Sequence, residues 1–140
     1  MCIRDRAKNT NKKYVIVSGI SEKNTDIQFN ENIRMISHIP GEELFQLILC
    51  SEIIISRGGY STLMDLAVLN KKCIFVPTPG QTEQEYLVEE LHNKKMIYGV
   101  DQGQFKLQTA LDEVEKTKGF YVGVDVKEFE GVLRDTINRI

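Results

Sequence analysis

The chain has 140 residues, 41% hydrophobic and 27% charged, with a formal net charge of −2. That size fits one domain whose core is large enough to fold without disulfides or a structural metal. Eighteen Lys and Arg against twenty Asp and Glu leave no basic field for nucleic acid or an anionic membrane, and no apolar run reaches the roughly 18–20 residues that span a bilayer.

Met1-Cys2-Ile3-Arg4-Asp5-Arg6 resembles a translated transposon adapter. Residues 1–6 are therefore set aside as a non-native leader, and residues 7–140 are read as the partial domain proper. Residues 13–19 (KYVIVSG) form a β-branched run ending in glycine, which predicts a buried strand. Residues 21–32 are polar and aperiodic and predict a loop. Residues 33–39 (IRMISHI) alternate and predict a second strand, closed by Pro40 and Gly41. Residues 42–50 predict a helix with Leu44, Phe45, Leu47 and Ile48 on its apolar face and two acids in its first turn.

Residues 53–56 (IIIS) read as a strand buried on both faces of a parallel sheet. Arg57-Gly58-Gly59-Tyr60 is a turn, and Ser61 or Thr62 is the expected cap of a helix running through Leu63, Met64, Leu66, Ala67 and Leu69. That helix is apolar nearly all round, so it is expected deep in the core. Residues 73–76 predict a buried strand, and Pro77-Thr78-Pro79-Gly80 a rigid loop. A helix over 83–94 turns Tyr86, Leu87, Val88 and Leu91 inward; a strand follows at 96–100. Residues 105–116 carry Leu107, Ala110, Leu111 and Val114 at i, i+3, i+4 and i+7, an amphipathic helix. A last helix is expected after Asp125.

Strands alternating with helices define an α/β fold, with a mostly parallel sheet flanked by helices and right-handed crossovers. Ligands of such sheets bind beyond the carboxyl ends of the strands. Two segments at those ends carry chemistry. In the first, Gly58 and Gly59 let main chain approach a ligand, and the N–H groups of Tyr60, Ser61 and Thr62 can face an anion. The same glycines also suffice for a tight strand–helix turn. The spacing is neither GxxxxGK[ST] nor GxGxxG. Asp65 either complements the helix dipole or accepts a ribose diol.

In the second segment, Gln81, Thr82, Glu83, Gln84 and Glu85 crowd a helix start. Amides and carboxylates suit polyhydroxylated ligands; Thr82 with Glu85 also reads as a capping box. His38 and His92 lack the partners of a nucleophilic constellation, and Tyr98 and Phe105 read as packing residues. The acids at 83, 85, 89 and 90 read as a solvated face. Cys2, Cys50 and Cys73 show no metal-ligand spacing. The latter two sit in apolar runs and read as buried small hydrophobes. An odd cysteine count and no apolar leader segment point to the cytoplasm.

Together these segments resemble the C-terminal domain of glycosyltransferase family 28, the donor-binding half of GT-B enzymes. The family includes the bacterial N-acetylglucosaminyltransferase that makes lipid II. The family pattern is a strand, Arg-x-Gly-x-x-Thr-x-x-Glu, then a Pro-rich loop ending in a Gln pair. Here it reads Arg57-Gly58-Gly59-Tyr60-Ser61-Thr62-Leu63-Met64-Asp65, then Pro77 to Gly80 leading to Gln84-Glu85. The resemblance spans about residues 13–118. It implies a Rossmann-like domain that binds a UDP-sugar for a hexosyl or N-acetylhexosaminyl transferase. Gly58, Gly59, Tyr60, Ser61 and Thr62 would hold the diphosphate, and Asp65, in place of the family's Glu, the ribose. Gln84, Glu85 and Gln81 would contact the sugar, and main chain at Ile39 and Gly41 the uracil. The family generally needs no metal or other cofactor, and no residue of this domain is implied to be catalytic. The acceptor, lipid-linked or a glycan, and the catalytic base belong to an N-terminal domain, which places the protein at the inner face of the membrane or free in the cytoplasm.

The first βα unit of the family's domain has no counterpart, because residues 13–19 match its second strand. In the order 3-2-1-4-5-6 the lost strand is central, so unpaired edges, poor solubility or a distorted sheet are expected. Two other readings stand beside this one: a non-catalytic donor-binding subunit of a two-chain glycosyltransferase, and part of a UDP-sugar 2-epimerase.

Overall fold

The structure is a computed structural model that describes residues 12–19 and 25–119. The expected leader at 1–6, Cys2 and the expected helix after Asp125 lie outside those residues. The elements in chain order are β1 (Tyr14–Val17), β2 (Asp26–Asn30), β3 (Ile33–Ile36), α1 (Gly41–Cys50), β4 (Ile53–Ser56), α2 (Tyr60–Val68), β5 (Lys72–Phe75), α3 (Thr82–Asn93), β6 (Tyr98–Gly99) and α4 (Leu107–Val114).

The strands form two three-stranded sheets, β1-β3-β2 and β4-β5-β6. All pairings are parallel except that of β2 with β3. In the order 3-2-1-4-5-6, β3 and β1 take places 3 and 2, and β4, β5 and β6 take places 4, 5 and 6. No strand among the described residues fills place 1, and the break falls there, between β1 and β4. The exposed edges foreseen from the sequence are therefore those of β1 and β4. Separately, one face of β1 is uncovered: Val15 and Val17 are exposed on it, while Tyr14 and Ile16 on the other face are half-buried. All four residues of β4 are half-buried, where a strand covered on both faces was expected.

Helices cover both faces of the β4-β5-β6 sheet. Alternation along the strands sends Ile74 to one face and Cys73 and Phe75 to the other. On the first face Ile74 packs with Phe105, Leu107, Ala110, Leu111 and Val114 around α4. Ile33 of β3 belongs to this same cluster, and Tyr14, Ile16, Ile53 and Ile55 pack against it. Apolar contact through α4 therefore spans the break, and Lys12 lies 3.9 Å from Glu52 across it, where no strand ladder joins the two sheets among the described residues. On the second face Leu63, Leu66 and Ala67 of α2 and Val88 of α3 close over Cys73, Phe75 and Ile97.

Several expectations from the pattern are corrected. Residues 26–30, expected as loop, form β2. All five are exposed, and the strand is held by its hairpin with β3 and by the Asp26–Arg34 pair (2.6 Å). No residue of α1 is buried; Phe45 is 46% exposed, because little of the described chain covers that face. The far side of α2 is open too, with Met64 and Val68 exposed, so α2 lies on the sheet and not deep within a core. Tyr86 of α3 points outward at 63% exposure. Cys50 is exposed; Cys73 is buried as expected.

Both α2 and α3 end in a left-handed residue that is not glycine, Asn70 (φ 48) and Lys95 (φ 59). Lys71 N–H reaches Leu66 O and Asn70 N–H reaches Ala67 O; Met96 to Leu91 and Lys95 to His92 repeat the pattern. These paired bonds are Schellman motifs, which satisfy the last carbonyls and turn the chain into β5 and β6. The C-terminus of α1 is closed by the Lys71 ammonium, which donates to Leu49 O (2.6 Å) and Ser51 O (3.0 Å).

Burial pushes the Cys73 thiol up to about 12 from its ordinary 9.0. The unfolded chain loses this proton near 9 while the folded chain keeps it, so the thiol contributes stability below 9 that is lost as the pH rises towards 12. At pH 8, Cys50 is expected to react with iodoacetamide within minutes and Cys73 only on unfolding, as peptide mapping would read. Labelling of Cys73 in the native protein at the rate of Cys50 would contradict its burial.

Candidate functional site

The site lies past the ends of β4 and β5, where two turns face each other. The first is the turn from β4 into α2. Gly58 is buried and Gly59 is the N-cap of α2, with φ −67 and ψ 140 and no side chain capping the helix. The first helical bond runs from Leu63 N–H to Gly59 O (3.0 Å). The N–H groups of Tyr60, Ser61 and Thr62 thus precede the ladder, at the positive end of the helix dipole. Ser61 and Thr62 sit inside the first turn, where a side chain does not cap; the cap expected of them is made by neither. A Cβ built at Gly59 meets nothing within 4 Å. The main chain there is bare.

The second turn is the loop from β5 into α3. Gly80 takes φ +81, a left-handed conformation that favours glycine. Side chains from the first turn of α3 fasten this loop. Gln84 Oε1 accepts from Thr78 N–H (3.0 Å), and Glu85 Oε1 accepts from Gly80 N–H (3.0 Å). Gln84 Nε2 also donates to Gln81 Oε1. The expected capping box is absent: the N-cap is Gln81, Thr82 is the first helical residue, and Glu85 reaches back past it to the loop. Arg57 ties the two turns together. Its Nη1 donates to Val76 O (3.3 Å) and Pro77 O (3.2 Å). That role was not read from the sequence, although a cation immediately before a paired-glycine turn was the available signal.

Between the turns is a cleft of about 440 Å³ lined by Gly58, Gly59, Tyr60, Gln81, Thr82, Glu83, Gln84 and Leu87. Gln81 and Gln84 are thus brought to the glycine turn. Glu85 is not. It lines a second, larger cleft of about 810 Å³ beside β6, with Glu89, His92 and Asp101. Asp65 is exposed, in the turn of α2 after the bare amides. Ile39 and Gly41 lie where β3 gives way to α1 and line neither cleft. His92 keeps a structural role: its Nδ1 accepts from Gly99 N–H (3.2 Å), and its ring meets Tyr98 edge-on at 5.5 Å. Among the described residues no group of three or more His, Cys, Asp or Glu is placed to hold a metal, and no helix is long and apolar enough to cross a membrane.

The structure is similar to that of spinosyn forosaminyltransferase SpnP, with a TM-score of 0.59 at 15% identity over 79% of this chain. The match takes in 27% of that chain, so the present chain spans about a quarter of its length. No curated protein matches the chain. The layered fold, with its glycine turn at the strand ends, is that of a GT-B glycosyltransferase domain. Residues 3–122 match the glycosyltransferase family 28 C-terminal domain, and the chain belongs to that family.

Proposed function

We propose that this domain binds the UDP-sugar donor of a hexosyl or N-acetylhexosaminyl transferase. The observation that carries the reading is the bare, uncapped start of α2 facing Gln81 and Gln84 across one cleft. Helix N-terminal amides favour a phosphate because they are unpaired donors at the positive dipole end. The diphosphate is placed on the N–H groups of residues 59–62, within a span of Gln84 and Gln81 for the sugar hydroxyls. Asp65 takes the ribose diol, and main chain at 39–41 the base.

In the transfer itself an acceptor hydroxyl forms a bond to the anomeric carbon as the bond from that carbon to the diphosphate breaks. The electron pair leaves with UDP, and the acceptor proton passes to a base supplied by another domain. This domain's share is electrostatic: the amides meet charge that grows on the leaving diphosphate, a task for which no metal is invoked. The acceptor and the transfer are those of a longer protein carrying this domain.

Calorimetric titration with UDP and UDP-sugars tests the reading. Binding is expected for both. Asp65→Ala is expected to weaken UDP about tenfold, the weight of one charge-assisted hydrogen bond, and to leave 2′,3′-dideoxy-UDP unaffected. Absence of nucleotide binding, or a UDP affinity indifferent to Asp65→Ala, would count against it.

A further inference from the structure

We propose that Val88 is a spacer that sets the width of the cleft between the glycine turn and α3, and thereby which nucleotide sugar fits; the ligand half of this statement rests on the donor-binding reading above. Val88 is 3% exposed, and its two methyl groups occupy two notches. One faces Gly58 and the other faces Gly99. A Cβ at Gly99 would lie 2.5 Å from Val88 Cγ1, and a Cβ at Gly58 would fall closer still to Cγ2. Ordinary contact is 3.4–4 Å, so neither position admits a side chain while α3 keeps its place. At Gly99 the backbone adds to this, with Val88 O 3.2 Å from the Cβ position; at Gly58 the nearest backbone atom, Gln84 O, is at an ordinary 3.5 Å, so Val88 alone closes that notch.

These two glycines stand on different parts of the sheet. Gly58 follows β4 and Gly99 ends β6, with β5 between them. Helix α3 therefore rests across the strand ends, seated through one residue in both notches. Gln84 lies one turn before Val88 on the same face of the helix. The depth at which Val88 seats thus fixes the reach of Gln84 towards Gly58 and Gly59. Leu87, beside Val88, lines the same cleft. Restoring ordinary contact at either notch demands a shift of about 1 Å, and a hydrogen bond lengthened by that much from its usual length of about 2.9 Å is lost.

The test uses Gly58→Ala, Val88→Ala and the double variant, each titrated with UDP and with UDP-N-acetylglucosamine and followed by melting and amide spectra. Gly58→Ala lifts α3 and is expected to weaken UDP-N-acetylglucosamine by about tenfold relative to UDP, the weight of one sugar hydrogen bond. In the double variant the lost methyls make room for the new Cβ, and the ratio of the two affinities is expected to return to within about threefold of wild type, a coupling that packing neighbours show. A role in stability alone predicts lower melting temperatures with that ratio unchanged throughout, which would overturn the proposal. If Gly58→Ala does not fold, Val88→Ala decides: a changed ratio supports the spacer and an unchanged ratio sinks it. If the wild type binds neither nucleotide, the donor-binding reading fails and the spacer is judged by the spectra. Val88→Ala then moves the amide signals of residues 59–62 and Gln84 if the spacing is set there, and moves only the signals next to residue 88 if it is not.

Discussion

Gly59→Ala is expected to leave the melting temperature within about 2 °C of wild type and to weaken UDP by about tenfold or more. Two small terms oppose each other in the stability. Alanine at a compatible backbone position stabilises by about 0.4–1 kcal/mol by restricting the unfolded chain. At an N-cap, alanine is worse than glycine by a similar amount. Gly59 is both an N-cap and a residue with ordinary dihedrals, φ −67 and ψ 140, and its new Cβ meets no atom within 4 Å. The terms therefore offset each other. The binding term is not offset. A methyl group on bare main chain at the cleft keeps a phosphate oxygen off the first amides, and one charged hydrogen bond is worth about 1.5–3 kcal/mol. Differential scanning calorimetry and titration on one preparation read the two effects separately. Unchanged affinity would mean that the amides at 60–62 do not meet the ligand.

The largest loss of stability is expected from Phe75→Ala. Phe75 is fully buried, 0% exposed, on the face of β5 that α2 and α3 close. Removing a buried phenylalanine costs about 3–5 kcal/mol, because the transfer term is lost and the cavity does not collapse. A domain is held by about 5–15 kcal/mol in total, and among the described residues this one has two sheets with no pairing between them. Phe45→Ala on α1 is the control: at 46% exposure it is expected to cost less than about 1 kcal/mol. Urea denaturation followed by circular dichroism gives both values. Equal costs for the two residues would show that the α2–α3 face is not the core.

What the sequence revealed follows from which forces act locally. The spacing in α4 named Leu107, Ala110, Leu111 and Val114, and all four are buried. The run at 73–76 was legible because a strand covered on both faces has no polar side. Strand β2 was not legible. Its five exposed residues are held by pairing with β3, which no local pattern of DIQFN announces. The turn behind it uses an Asn side chain, Asn30 Oδ1 accepting from Asn32 N–H at 2.9 Å, in place of an Asn-Gly pair. Periodicity on α1 and α3 showed which face is apolar but not what covers it, so Phe45 and Tyr86 were placed inward and lie outward.

The candidate site divides in the same way. The paired glycines were visible as a bare turn before a helix, and the break in the sheet at the predicted place followed from strand order. The separation of Gln84 from Glu85 was not foreseen, although successive residues of a helix diverge by about 100° and rarely share a cleft. The seat of Val88 against Gly58 and Gly99 joins residues 30 and 11 positions from it in sequence, and such contacts leave no mark on any one segment.

The break between β1 and β4 has a mechanical consequence. A continuous sheet passes shear from strand to strand along its hydrogen bonds. Here the pair of β1 and β3 meets the β4-β5-β6 half through the side chains gathered on α4 and through the chain itself. Such a joint is held by close-packed side chains, with no strand ladder to fix the register between the two sheets. Any shift of the half that carries both clefts is therefore resisted by packing contacts, and a strand of backbone set into the gap would add a ladder to that resistance.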